Sequence, residues 1–91
     1  MYFVLLYEVG ADFINRRAPF RPEHLKLLEQ AHRRGDLVMA GAFSDPVDGA
    51  ALVFRGNDPS VATRFAETDP YVANGLVTNW RVRGWNVVVG G

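Results

Sequence analysis

The run YFVLLYEV, residues 2–9, is apolar at every position except Glu8 and is dense in aromatic and branched side chains. An alternating strand leaves one face to water, whereas a continuous run of this kind reads as a central strand buried on both faces. Both faces then need cover. At 91 residues, a chain buries only about 60–65% of the surface its unfolded form exposes, so it cannot build a thick layer on each side of a sheet. One side can be covered from within, and the other needs something else.

The remaining segments supply the inner cover. Gly10 to Arg17 is polar and reads as a loop. Pro22 and Glu23 open a helix that runs to about Arg34 and is stopped by Gly35. Its apolar stripe is Leu25, Leu28 and Ala31, with Leu27 on the flank. Two apolar runs, residues 37–45 and 50–56, flank a turn around Pro46 to Gly49 and read as a hairpin. Asp58 and Pro59 have the form of an N-cap and first helical residue, followed by Val61, Ala62, Phe65 and Ala66 at helical spacing. Asp69-Pro70 repeats that pattern for a short turn, Tyr71 to Asn74, closed by Gly75. Residues 76–89 form a last strand, with Val77, Asn79, Arg81 and Arg83 alternating against Thr78, Trp80 and Val82.

Strand, helix, strand, strand, helix, strand is the ferredoxin-like α+β plan, βαββαβ, in one domain spanning residues 1–91. Right-handed crossovers place both helices on one face of the antiparallel sheet. The opposite face would expose several hundred Å² of apolar surface, and the economical cover is the same face of a second copy. A homodimer through the open sheet face is therefore expected.

Ten basic and ten acidic residues give zero net charge, so no long-range field gathers nucleic acid or an anionic membrane. With no cysteine there are no disulfides, thiolate metal sites or cysteine nucleophiles. His24 and His32, eight residues apart on one helix, would stand about 12 Å apart by the helical rise, too far to share a metal. No phosphate-cradling glycine loop or dinucleotide fingerprint is present, so neither a metal nor a cofactor is expected. The opening apolar run stops at Glu8, too short for a signal-peptide core or a membrane span, which makes the cytoplasm the expected location.

His24, in FRPEHLKLL, sits in the first turn of its helix, after a loop carrying Arg16, Arg17 and Arg21. Histidine is a mediocre helix former and gains little there, so it is either a satisfied capping-region residue or a group placed for a task. His32, beside Arg33 and Arg34, suits the negative helix end and reads as a surface residue. Asp69 before Pro70 reads first as an N-cap. A carboxylate that caps with one oxygen can still orient an imidazole with the other, and an imidazole so oriented is a competent general base. Ser44, near the end of the second strand, and Tyr71 read either as cleft residues or as turn and packing residues. The arginines before the helix suit a small anionic ligand or ordinary salt bridges equally well.

Taken in order, RRAPFRPEHLKLL, LVMAGAFSD, TDPYVANGLV and WRVRGW resemble the YciI-like (YCII-related) family over essentially the whole chain. That resemblance implies the dimeric α/β barrel version of the fold. It also implies a catalytic pair in a cleft between helices and sheet, which falls on His24 and Asp69. Two departures touch the backbone near that cleft: Ala42 and Gly84 stand where proline is common in the family. The family includes a dehydrochlorinase of a chlorinated aromatic, and the related barrel fold includes muconolactone isomerases. By that analogy the chain is expected to perform cofactor-free elimination or isomerisation of a small anionic or aromatic molecule. His24 would move the proton, Asp69 would orient it, and Arg17, Arg21, Ser44 and Tyr71 would bind substrate. The alternative is a ligand-binding or regulatory module using the same cleft without chemistry.

Overall fold

The structure, a computed structural model, describes Met1–Gly91. Its elements run β1 (Tyr2–Val9), α1 (Phe13–Arg16), α2 (Arg21–Arg33), β2 (Leu37–Ala42), β3 (Gly49–Arg55), α3 (Ser60–Thr68), α4 (Pro70–Ala73) and β4 (Val77–Trp85). The sheet order is β2-β3-β1-β4 with every pairing antiparallel, so the opening strand lies between β3 and β4 and the plan is the expected ferredoxin-like one.

Alternation along β1 settles which side chains go where. Phe3, Leu5 and Tyr7 are buried beneath the helices with Leu52 and Phe54 of β3 and Phe65 of α3. Val4 and Leu6 point the other way, beside Val53 and Ala51, and are only half-buried. Thus β1 has two apolar faces, one sealed within the chain and the other forming the middle of an open sheet surface.

Local structure departs from the sequence reading in places that matter to the site. The segment read as a loop contains α1, a single turn that buries Phe13. The second strand ends at Ala42 rather than continuing to Asp45. The last strand ends at Trp85, and Val88 and Val89 beyond it are exposed. Its alternation also breaks at Thr78, where β4 bulges against Glu8 and Val9. The extra residue turns Val77 to the buried side, away from Asn79 and Arg81. A second irregularity, between Leu37 and Met39, leaves Leu37 opposite Phe54 but Ala40 opposite Leu52, so Ala40 and Ala42 face the helices. Asp58 caps as expected by accepting the Ser60 N–H at 2.8 Å, one residue further from the helix than its pattern suggests. Of the α2 stripe, Ala31 is fully buried and Leu27 and Leu28 pack against the core, but Leu25 is half-exposed. No helix is long and apolar enough to cross a membrane.

Candidate functional site

Three elements converge where α2 starts, and Asp69 is at their centre. It closes α3 and caps α4, with an extended backbone at φ −72°, ψ 123° that separates the two helices. Pro70 needs no partner at the first helical position, and Asp69 Oδ1 accepts the Tyr71 N–H at 3.0 Å. Capping therefore fixes the carboxylate in a fully buried position, 0% exposed.

A buried carboxylate must be satisfied by donors. His24 Nδ1 lies 2.9 Å from Oδ1 and 3.0 Å from Oδ2, and the Tyr7 hydroxyl donates to Oδ2 at 2.8 Å. Facing an acceptor-only carboxylate, Nδ1 is the donor, which leaves Nε2 with the lone pair when the ring is neutral. Nε2 makes no hydrogen bond within the chain and keeps accessible surface, since the only buried, unpaired side-chain polar atom is the Tyr71 hydroxyl oxygen. The His24 side chain is 12% exposed.

Stacking sets the ring's tilt. The Tyr71 ring lies under His24 with centroids 3.9 Å apart and planes 14° off parallel, and Phe13 meets Tyr71 edge-on at 5.3 Å. Arg17 sits over Phe13, its guanidinium carbon 5.7 Å from the ring centre. Burial raises the Tyr71 hydroxyl above the usual tyrosine range, and the nearby charges of Arg21 and Arg17 offset only part of that. Tyr7 is raised further, by burial first and then by the Asp69 charge and hydrogen bond. Both phenols stay protonated at any physiological pH.

Above this group lies a cavity of about 200 Å³ between α2 and the sheet. Its space exists because the helix-facing positions of β2 and β3 at this end of the sheet carry Ala40, Ala42 and Ala50 rather than large side chains. Arg17, Arg21, His24 and Tyr71 line it together, and neither Arg17 nor Arg21 has a carboxylate within 4.0 Å. Arg16 points elsewhere, to Asp12 and the Asn74 carbonyl. Ser44 does not reach the cavity, because β2 ends at Ala42 and the exposed hairpin carries Ser44 beyond the rim. His32 is exposed, and no group of three or more metal-ligating side chains converges anywhere in the chain. Tyr7 and Phe13 are the site residues that sequence reasoning passed over. Tyr7 had a signal, as the one hydroxyl among the buried alternate positions of β1.

Comparison with known proteins identifies the family and the fold. The YCII-related domain model matches residues 1–86. Two proteins called YciI, from Escherichia coli and Shigella flexneri, are each 29% identical over 97 aligned positions, covering 97% of this chain and 99% of theirs. Among solved structures, 5-chloro-2-hydroxyhydroquinone dehydrochlorinase from Burkholderia phenoliruptrix, in complex with 2,5-dihydroxybenzoquinone, is similar with a TM-score of 0.78. That likeness covers 94% of each chain at 19% identity and carries the fold.

Proposed function

The chain belongs to the YCII-related domain family, and from that premise we propose that it is a small cofactor-independent acid/base catalyst acting on a single-ring or similarly small anionic molecule. The observation that carries this reading is the Nδ1 bond of His24 to a buried carboxylate, which frees Nε2 at a cavity with two unpaired guanidiniums. In this reading Nε2 takes a proton from the substrate, and the electrons of the broken bond form a new π bond. A leaving group such as chloride then departs with its own bonding pair; in an isomerisation, a proton returns at another atom instead. Asp69 stabilises the imidazolium that results, as the orienting carboxylate does in hydrolase triads, and water takes the proton away. Arg17 and Arg21 hold the substrate's charge. Tyr71 supports the imidazole from below through the stacked contact.

Size argues for a small substrate: a cavity of about 150 Å³ accommodates benzene, and this one is only somewhat larger at about 200 Å³. The open sheet face belongs to the same proposal, with a second copy covering Val4, Leu6, Ala51 and Val53.

The test is chloride release and proton uptake or release with 5-chloro-2-hydroxyhydroquinone and a panel of chlorinated hydroquinones and small unsaturated lactones. Turnover that falls by about 100-fold or more in His24→Gln supports the proposal. Saturable binding without turnover, equal in parent and variant, would replace it with a ligand-binding module.

A further inference from the structure

Asp69 is gripped symmetrically. Each carboxylate oxygen has one donor besides His24: the Tyr71 N–H on Oδ1 at 3.0 Å and the Tyr7 hydroxyl on Oδ2 at 2.8 Å. His24 Nδ1 is nearly equidistant from the two oxygens, at 2.9 and 3.0 Å. The Tyr71 donor is backbone, so it cannot be removed without rebuilding the helix cap. The Tyr7 donor comes from β1, 62 residues away, and can be removed by taking off one oxygen atom.

We propose that Tyr7 is a positioning residue: through its hydrogen bond to Asp69 Oδ2 it pins the carboxylate plane, and so keeps His24 in the Nδ1–H form with Nε2 presented to the cavity. Without Tyr7, Oδ2 has only its share of the histidine contact. The carboxylate is then free to turn about its Cβ–Cγ bond toward the Oδ1 donors, and the contact with Nδ1 that selects the ring's tautomer loses its fixed geometry. The phenol suits this task because it is 3% exposed and held in β1 opposite Ala50 and Trp80, on a strand paired on both edges. Its conformational freedom is spent by packing, so the hydroxyl stays aimed at Asp69. The inference rests on His24 being the base of the proposed reaction, and its test separates the two claims.

The measurement is a long-range 1H–15N spectrum of the two imidazoles in their neutral form, with exposed His32 as internal control. In the parent, His24 is expected to be Nδ1–H. In Tyr7→Phe the Nε2–H tautomer becomes several-fold more populated, and the Nδ1 proton exchanges with water up to roughly tenfold faster, because its acceptor has lost the charge-assisted bond from Tyr7 that held it in place. Asp69→Asn sets the scale for complete loss of the carboxylate. His24 signals that superimpose between parent and Tyr7→Phe would overturn the Tyr7 proposal and leave the base reading standing. A parent His24 in the Nε2–H form would overturn both. Should Tyr7→Phe fail to fold, 3-fluorotyrosine placed at position 7 decides: a shifted Nδ1 proton resonance supports the role, and an unmoved one removes it.

Discussion

At the scale of single residues, the site depends on which groups hold protons. Tyr7 is raised well above its ordinary value in the folded chain, whereas in the unfolded chain it titrates near pH 10. Above that pH the unfolded state releases a proton that the folded state keeps, so stability from this residue is complete below pH 10 and falls as pH rises. The slope is about 1.4 kcal/mol per pH unit for one tyrosine. Urea midpoints measured from pH 8 to 11 should therefore decline more steeply in the parent than in Tyr7→Phe, which has no proton to lose there. Tyr71 adds a decline in the same direction. Arg21 lines the cavity, is exposed and has no carboxylate partner, so Arg21→Gln should leave the melting temperature within a degree or two while weakening anion binding. Titration with 2,5-dihydroxybenzoquinone, read by its visible absorbance, checks that separation.

At the scale of elements, the site is a product of irregularities. The patterns of apolar residues and caps were enough to place α2, α3 and the Asp69-Pro70 turn, because helix starts are written in a few local residues. The bulges were not legible: an extra residue in one strand is set by its partner's register, a non-local property that periodicity cannot see. Those irregularities turn Ala40 and Ala42 toward α2 and Val77 inward. Phe13 was missed for a related reason, since one helical turn has too few residues for a pattern. Ser44 was expected at the cleft from its nearness to the strand end, but β2 stops two residues earlier. Two substitutions test this level. Ala42→Leu fills the cavity rim at an exposed position and should abolish ligand binding with little change in stability. Gly49→Ala should destabilise by about 1–3 kcal/mol, because a Cβ there collides with the Tyr7 carbonyl oxygen across the β1–β3 pairing. Thermal melts with and without the quinone distinguish the two.

At the scale of the whole molecule, the first nine residues carried most of the architecture, because a strand apolar on both faces has few places to go. The helices bury Phe3, Leu5 and Tyr7, and the open face keeps Val4 and Leu6 at its centre, with exposed Met39 and Trp85 toward its margins. Light scattering should give twice the 10.1 kDa chain mass, and Leu6→Lys, which sets a charge in the middle of that face, should give the single mass. A parent that scatters as one chain would refute the paired-sheet assembly.

Asp69 ends one helix and begins the next, and that double duty changes what its presence in a sequence means. A chain with this fold has reason to keep an aspartate before Pro70 to turn the corner, whether or not it turns over any substrate. The Asp-Pro-Tyr signature is therefore accounted for by architecture alone, and taken by itself it is no diagnostic of chemistry. His24 takes no part in the cap itself, which the Tyr71 N–H completes, so the residue at that position is the one whose replacement separates an aspartate kept for the corner from one kept for a catalytic pair.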